Sequence, residues 1–399
     1  MNSYFASVEQ QANPFLRGKP VGVCAYLAPN GCIIASSIEA KKLGITTGCR
    51  VKEAKKIHSD VILIENEPAK YRSTTEKIFS ILADYTERIE PYSIDEAFMD
   101  LTGYCQSLSL AQKIGRQIQT RIKKEVGEWL KSKIGISTTR WLAKFIADIA
   151  KPDSVNIITP KKAPKIYSRV KLTDAWGINF RMENRLNRLG IYNLNDLKNY
   201  PVQNILTALG KPGYFLWANV NGIELEGVKT QDEIKPKSIG HSYCLPKHTT
   251  DTNYHLSVLM KLCEKVGRRL REQKLEAKSM SLYWSYVSSG GFYKIFKVPE
   301  KLFITIDIYN LAAKIFLAKK IGQKIRMLAV SVGNFSGLSR QMNLFNDVLS
   351  KKNIAQTMDK INDKYGDYTI AYGQMWGTGE YAKDRVGYRK SVKVIYKLQ

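Results

Sequence analysis

Two kinds of apolar pattern alternate along residues 1–165. Short apolar runs bounded by turn residues predict β-strands, and apolar residues three or four positions apart predict amphipathic helices. Their alternation is typical of an α/β lobe, in which helices cover a sheet. The predicted strands are 20–24, 32–35, 61–64, the apolar run after Glu96 and 133–137, and the predicted helices are 37–43, 51–58, 67–87, 108–130 and 140–150.

The start of the chain shows only part of a strand. Residues 3–9 have the pattern of a strand end that runs into a helix, with two residues before the turn. A buried strand usually has about five residues. We therefore expect the element that leads into this turn to lie upstream of Met1.

The second half of the chain begins with a change of pattern. From residue 172 short helices are separated by glycines, which predicts a helical domain. Residues 229–237 are polar and lack an apolar period, so we interpret them as a linker. Beyond it a second unit is predicted, with strands near 238–241, 279–286, 291–298 and 324–332 and helices over 254–273 and 302–319.

Charge indicates what kind of partner the chain attracts. Its 399 residues include 62 Lys and Arg against 36 Asp and Glu, a formal net charge of +26. Such a chain attracts polyanions, so nucleic acid is the expected partner and an anionic membrane surface is the alternative. No apolar run approaches the ~18–20 residues of a membrane span, and the first residues do not form a signal peptide. We therefore expect no membrane partner and a cytoplasmic, nucleoid-associated protein of roughly two to four domains.

The adjacent carboxylates Asp95 and Glu96 stand at the start of a short apolar strand. Neighbouring side chains of a strand point to opposite faces, so both carboxylates reach one pocket only if the strand begins or bends there. A solvated acidic turn is the alternative. In a chain this basic, the pair suggests a divalent cation held against phosphate. The six cysteines and four histidines show no zinc-binding spacing.

Two regions suggest contacts with DNA phosphates. A helix, a glycine-bearing hairpin and a second helix, around Gly177, Gly210 and Gly213, expose backbone N–H groups that can hold a phosphate. An ordinary helix hairpin is equally consistent with that pattern. The predicted helix over 254–273 is rich in cations, including Arg268 and Arg269, and the sheet beside it suits a DNA groove.

A short peptide, QMNLF at residues 341–345, ends the second unit in a polar stretch. Leu344 and Phe345 are large apolar anchors, and Gln341 can form a hydrogen bond at the other end. Packing inside the protein is one interpretation. The loop setting favours the other, docking in the pocket of a partner.

Together these motifs resemble the Y-family translesion DNA polymerases, and within them the bacterial UmuC-like branch. The resemblance covers nearly the whole chain and depends on the order and spacing of motifs, none of which is decisive alone. They are 3–9 (SYFASVE), 30–35 (NGCIIA), 39–41 (EAK), 92–98 (YSIDEAF), 135–137 (GIS), 143–144 (AK), Lys151 and the tail from residue 362 through Tyr381.

The resemblance implies an α/β (α+β) multidomain protein with the right-hand arrangement of a polymerase. The little finger would be a four-stranded sheet with two helices, and the helical thumb would contain helix-hairpin-helix motifs. The implied domains are a palm of residues 1–5 and 67–165 with a truncated first strand, fingers of 6–66, a thumb of 166–228, the linker 229–237, a little finger of 238–339, and a clamp-binding peptide with a C-terminal extension over 340–399.

It further implies error-prone, template-directed DNA synthesis across damaged bases, with two Mg²⁺ ions as cofactors. Asp95 would bind both ions, and Glu96 would bind the one at the primer terminus, with the backbone carbonyl of Met1 as another ligand. Phe5 matches the aromatic steric gate that excludes a ribose 2′-hydroxyl. The other implied nucleotide-binding residues are Ser3, Tyr4, Lys41 and Lys151.

The implied partners are primer-template DNA, deoxynucleoside triphosphates, the replication sliding clamp and an accessory subunit. Gln341, Leu344 and Phe345 would contact the clamp. Gly177, Gly210, Gly213, Arg268 and Arg269 would contact DNA.

The sequence departs from the family pattern in two places. Ile38 and Lys41 replace the Tyr and Arg of other branches, so the bidentate phosphate contact becomes a point charge. The family's first metal-binding Asp would stand directly before Met1 and is absent from the sequence. Two readings follow: a polymerase that carries this Asp upstream, or a catalytically inactive scaffold that binds DNA and the clamp.

Overall fold

The computed structural model describes residues 1–338, 348–379 and 381–382, which divide into two units. Unit 1 ends at Ile234 and unit 2 begins at Lys235, so the break falls inside the stretch interpreted as a linker. Part of that stretch is ordered against unit 1. The Lys229 N–H donates to Glu90 Oε2 at 3.3 Å, and a 3-10 turn covers Gln231–Glu233.

The first sheet of unit 1 has three strands, in the order β2-β1-β3. The central strand pairs antiparallel with β2 and in parallel with β3, and all four of its residues are buried. Ser37 begins α2, because its hydroxyl accepts the Ala40 N–H at 3.2 Å. The elements are α1 (Tyr4–Ala12), β1 (Val21–Cys24), β2 (Ile33–Ser36), α2 (Ile38–Lys42), α3 (Val51–Ile57) and β3 (Ile62–Glu65).

Two separate two-stranded sheets form the next region. The antiparallel pair β4-β5 carries the acidic turn, and the parallel pair β6-β7 lies apart from it along the chain. One apolar cluster joins α1 to the helices behind these sheets. The elements are α4 (Pro68–Ala83), β4 (Ile89–Pro91), β5 (Ala97–Met99), α5 (Leu108–Arg121), β6 (Lys133–Ile136), α6 (Arg140–Ile149) and β7 (Ser154–Ile157).

Three helices of this region are shorter than the apolar pattern predicts. The helix α4 ends at Ala83, and α5 passes after Arg121 into a π-helical turn that Gly127 ends. The helix α6 ends at Ile149, because the residue before Pro152 is disfavoured in helical backbone. Lys151 therefore lies outside α6 and does not share a helical face with Lys144.

A helical region closes unit 1 around its own apolar cluster. Gly210 interrupts the last helix with a left-handed φ of 65°, which divides it into two helices. The predicted succession of short helices and glycines is confirmed. The helices are α7 (Ala163–Tyr167), α8 (Phe180–Asn187), α9 (Leu194–Asn199) and α10 (Val202–Val220).

Unit 2 contains a four-stranded antiparallel sheet in the order β10-β9-β11-β8. Two helices share an apolar cluster with the sheet, which confirms the predicted four strands and two helices. A further helix, α13, belongs to the C-terminal extension. The elements are β8 (Ser238–Thr249), α11 (Thr252–Glu272), β9 (Leu275–Tyr286), β10 (Gly291–Leu302), α12 (Thr305–Leu317), β11 (Ile325–Gly337) and α13 (Val348–Tyr365).

Candidate active site

Asp95 and Glu96 lie in the turn between β4 and β5. The backbone N–H groups of Tyr92 and Ser93 donate to the Glu96 carbonyl at 2.9 and 3.0 Å and close the turn. The Ser93 hydroxyl donates to Asp95 Oδ1 at 2.6 Å and fixes that carboxylate. The predicted turn at the edge of a strand is confirmed, and both acidic residues line the same two cavities.

The smaller of these cavities has a volume of about 370 Å³, within the usual range for small-molecule sites. We call it the small cavity. Asp95 and Glu96 form one wall, the start of α1 with Phe5 forms another, and the end of β2 with Lys41 completes it. Two carboxylates and a cation thus line one cavity, a combination that suits an anionic ligand bound together with a divalent cation.

The aromatic ring of Phe5 is supported from behind. It stacks on Tyr71 with ring centroids 4.6 Å apart. The Tyr71 hydroxyl donates to Glu9 Oε1 at 2.8 Å, and Lys70 Nζ donates to Glu9 Oε2 at 2.9 Å. Burial raises the pKa of Tyr71, and the carboxylate of Glu9 raises it further, so the phenol remains a donor. This network fixes the ring on which Phe5 rests.

Tyr4 points into the core, although its residue also borders the small cavity. Its hydroxyl donates to the Tyr71 carbonyl at 3.0 Å and shares a hydrogen bond of 2.7 Å with Thr75 Oγ1. These contacts join α1 to α4, and the predicted contact of Tyr4 with a nucleotide stays a prediction. Ser3, at the start of α1, has a left-handed φ of 47°.

Lys144 of α6 reaches the acidic turn. Its ammonium group donates to Glu96 Oε1 at 2.7 Å and to Asp148 Oδ1 at 2.8 Å. Burial works against the charge of Lys144, but the hydrogen bonds with Asp148 and Glu96 outweigh it, so the pKa of Lys144 is raised. Glu96 is therefore held by a permanent cation. The motif at 143–144 suggested that Lys144 matters, but a bond between residues 48 positions apart has no local signal.

Lys41 borders both cavities and faces a second cation. Desolvation lowers the pKa of Lys41, and the charge of Lys133 lowers it further. Lys133 is itself desolvated, and its pKa is also lowered. Two cations with lowered pKa beside one site indicate a place where an anion would relieve repulsion.

The second cavity, about 920 Å³, lies between the sheet edges of β5 and β6 and is bordered by α4 and α5. We call it the large cleft. Met1 N donates to the Asp95 carbonyl at 2.8 Å, and the Asn2 N–H donates to the Lys131 carbonyl at 2.9 Å, so residues 1–2 join the two sheets at one end. Within the described residues, β5 pairs only with β4 and β6 only with β7. The cleft is thus lined by two strands that each have one partner strand among the described residues.

The oxygen ligands near the turn fit a magnesium ion in part. Among the residues that the structure describes, no three Asp, Glu, His or Cys side chains come together as metal ligands. Mg²⁺ is, however, commonly held by one or two carboxylates with waters and substrate phosphates, and Asp95 and Glu96 are such a pair. Asn2 Oδ1 and Ser3 Oγ are buried beside them and have no hydrogen-bond partner within the protein. These residues can supply oxygen ligands to Mg²⁺ that is held jointly with a phosphate.

Most of the predicted nucleotide and metal residues border one cavity. Lys151 is an exception: it is exposed, and it is absent from the described residues that line either cavity. Its contact with a triphosphate stays a prediction. The small cavity brings together Met1, Ser3, Tyr4, Phe5, Lys41, Asp95 and Glu96.

Local backbone conformation or tight packing explains each of the three glycines that were predicted to contact DNA. Gly177 and Gly210 adopt φ values of 97° and 65°, which side chains disfavour. At Gly213 an added Cβ would stand 2.4 Å from the Cβ of Leu209, so a tight contact within α10 requires glycine there. These facts explain the hairpins, and their contact with DNA stays a prediction.

The predicted DNA contacts of unit 2 have partners within the protein. Arg268 pairs with Asp363 and, at 3.1 Å, with Asp367. Arg269 donates to the Gly240 carbonyl at 3.2 Å. The contacts of Arg268 weigh against its predicted role, which nevertheless stays a prediction. The peptide of Gln341, Leu344 and Phe345 lies outside the described residues.

Arg140 is a residue that sequence reasoning missed. Its guanidinium lies 4.1 Å from the ring centroid of Phe98 and 5.3 Å from that of Trp176. It also donates to Glu90 Oε1 at 2.5 Å. Arg140 thus ties the acidic hairpin to the helical region through cation–π contacts and a buried ion pair. The three partners are scattered along the sequence, so no motif indicates them.

Comparison with known proteins yields matches over both units. Residues 1–148 match the impB/mucB/samB family, and residues 236–344 match the impB/mucB/samB family C-terminal domain. DNA polymerase IV 2 of Bacillus subtilis (strain 168) is 31% identical over 379 residues, which cover 93% of this chain and 92% of the relative. No described helix has the length and apolar character needed to cross a bilayer.

Solved structures show the same fold. A Y-family DNA polymerase chimera, Dbh-Dpo4(243-245)-Dbh, aligns with a TM-score of 0.75 at 23% identity, over 84% of this chain and 98% of the chimera. An insertion ternary complex of Dbh DNA polymerase aligns with a TM-score of 0.57 at 23% identity, with the same coverage.

Proposed function

Because the chain belongs to the Y family of translesion DNA polymerases, which are DNA-directed nucleotidyltransferases, we propose that the acidic turn is its catalytic centre. The observation that carries this proposal is the meeting of Asp95, Glu96, Phe5 and Lys41 around the small cavity. The reaction is attack of the primer 3′-hydroxyl on the α-phosphorus of a deoxynucleoside triphosphate. The hydroxyl gives up its proton to solvent, a phosphodiester bond forms, the bond from the α-phosphorus to the bridging oxygen of the β-phosphate breaks, and pyrophosphate leaves.

Asp95 and Glu96 are the proposed ligands of two Mg²⁺ ions, with phosphate oxygens of the substrate and the Met1 carbonyl as further ligands. When bound, these ions neutralise phosphate charge and activate the attacking hydroxyl. Lys144 keeps Glu96 at the cavity wall, since the two are joined at 2.7 Å. Lys41 and Lys151 are the proposed cations for the triphosphate, acting as point charges.

Phe5 is the proposed selector of the sugar. Its ring borders the small cavity beside the carboxylates and rests on Tyr71, which is itself fixed by Glu9. A supported ring cannot retreat from a ribose 2′-hydroxyl as a free side chain could. Phe5 would therefore exclude ribonucleotides by steric contact.

The test of the catalytic centre is primer extension by Asp95→Asn and Glu96→Gln. Each change removes an anionic ligand but keeps the shape, so extension should fall on the order of 10²–10³-fold. DNA affinity should stay the same. Glu87→Gln, at an exposed position of unit 1, is the matched control and should extend normally. Wild-type extension by either site variant would contradict the assignment.

A second candidate function is an inactive scaffold that binds DNA and the clamp. One observation favours it: no three Asp, Glu, His or Cys side chains come together as metal ligands among the residues that the structure describes. In this reading the chain holds primer-template DNA without extending it.

An additional strand supplied to the large cleft would distinguish the two candidate functions. An apolar segment of about five residues that ends in Asp, fused directly before Met1, would run antiparallel to both β5 and β6. The control fusion ends in Asn. Both fusions should raise the melting temperature by filling the cleft, but only the Asp fusion should gain extension if the turn is a polymerase centre. Equal inactivity of both folded fusions would support the scaffold.

The partners of the chain are also proposals. Primer-template DNA and deoxynucleoside triphosphates accord with the similarity to polymerases. The sliding clamp, through Gln341, Leu344 and Phe345, an accessory subunit and a place at the nucleoid follow from the sequence motifs alone.

A further inference from the structure

The C-terminal strap, defined here as residues 348–379 and 381–382, lies along α11 within unit 2. It consists of α13, a turn, and a 3-10 turn at Gly373–Met375. Ala355 of α13 packs with Phe303 and Ile304, and Ala382 joins the core of the sheet. The strap is therefore anchored at both of its ends.

The strap neutralises an arginine buried at the end of α11. The Arg271 side chain is 4% exposed and donates twice to Asp359, at 2.6 and 2.8 Å. Thr305 Oγ1 accepts a third hydrogen bond at 2.9 Å. Parallel bonds from one guanidinium to one carboxylate are among the strong hydrogen bonds of proteins. Asp359 is thus part of the folded structure of unit 2.

Two further buried charges also find partners in the strap. Lys261 is 2% exposed, and its ammonium group donates to the carbonyls of Thr378 and, at 2.9 Å, Gly379. Glu276 is equally buried and accepts from Lys352 at 2.7 Å. Without the strap these groups would lose partners that buried charges require. We call the contacts of Arg271, Lys261 and Glu276 with the strap the inner contacts, and they hold the strap in place.

Arg268 is different, because its strap partners are exposed. It pairs with Asp363 and Asp367, whose side chains are 63% and 70% exposed, and with Glu272 of its own helix at 3.4 Å. Exposed ion pairs contribute little to stability. These two carboxylates are not needed to neutralise a buried charge. They occupy a guanidinium fork that would otherwise fit a phosphate.

We propose that the strap competes with nucleic acid in cis: Asp363 and Asp367 occupy Arg268 as backbone phosphates would, and so keep this face of α11 from DNA. The inner contacts position the strap, and the exposed carboxylates compete. The contact of unit 2 with DNA is then left to its other surfaces. This inference does not depend on catalysis, because it concerns the binding of phosphate alone.

The experiment measures the affinity of the full chain for a short labelled DNA duplex over 50–200 mM salt. The test variant is Asp363→Asn with Asp367→Asn. The control is Glu76→Gln with Glu87→Gln, two exposed positions in unit 1 that change the net charge equally. The test variant should bind more tightly than the control at low salt. Its salt slope should be steeper by about 0.9, which adds about a 3.5-fold loss across this range.

Arg268→Gln shows whether any gain passes through the proposed cation. Added to the test variant, it should return the affinity and the salt slope to those of the control. Affinity of the test variant equal to that of the control would overturn the proposal. So would a gain that survives Arg268→Gln, or a loss of affinity when Arg268→Gln is made in the intact chain.

Discussion

Replacement of Asp359 by Asn should destabilise unit 2 far more than the same change at Asp363. Both carboxylates belong to α13 and both pair with arginines of α11. Asp359 is 16% exposed and its partner Arg271 is 4% exposed, whereas Asp363 is 63% exposed and its partner is 22% exposed. The two variants thus remove the same charge from one buried and one exposed pair.

The expected magnitudes follow from burial. Removal of one partner of a buried ion pair costs about 3–5 kcal/mol. Glu264 remains 3.6 Å from Arg271, so the lower end, about 3 kcal/mol, applies to Asp359→Asn. For a unit of this size that corresponds to a fall in melting temperature of roughly 6–12 °C. Asp363→Asn should cost at most about 1 kcal/mol.

Hydrogen exchange of β9 and β11, read by mass spectrometry, reports on unit 2 without interference from unit 1. Asp359→Asn should lower the protection of these strands strongly, and Asp363→Asn should leave it nearly unchanged. Equal protection in the two variants would refute the argument, because burial would then not determine the cost. A large loss only in Asp363→Asn would refute it as well.

Three other changes have expected outcomes. Phe5→Ala should raise ribonucleotide insertion by about tenfold or more relative to deoxyribonucleotide insertion, since steric contacts supply roughly 1–3 kcal/mol of discrimination; unchanged sugar preference in a folded variant would exclude the gate. Burial lowers the pKa of His255 from 6.5 to about 4, so between these pH values the unfolded chain binds a proton that the native chain does not. Stability should be complete above pH 6.5 and fall by up to about 3 kcal/mol towards pH 4, and His255→Leu should flatten this part of a urea-unfolding series; an unaltered pH profile would contradict the assignment. Leu344→Ala with Phe345→Ala should abolish clamp stimulation while clamp-free synthesis and the melting temperature stay the same; retained stimulation would exclude the docking peptide.

Local patterns were sufficient for several features. The glycines after residue 172 predicted breaks between helices, and Gly210 does break α10 with a φ of 65°, which side chains disfavour. The bend at Asp95 was predicted because two adjacent carboxylates can reach one pocket only where a strand begins or bends. The four strands and two helices of unit 2 followed from apolar periodicity. The short strands β4 and β7 were missed, because a strand of three or four residues is too short to show an apolar period.

The sequence by itself determined the four strands and two helices of unit 2, the excess of positive charge and the acidic turn, because each depends on neighbouring residues or on composition. Only the tertiary structure decided which charges meet. Lys144 binds Glu96 across 48 positions, and Arg268 meets acidic residues almost 100 positions later. The cations of α11 looked like a surface for DNA until the fold placed carboxylates against Arg268 and Arg271. The pattern of charges along the sequence indicates the electrostatic potential of a surface. Which group pairs with each charge depends on which distant segment the packed core brings within hydrogen-bond distance.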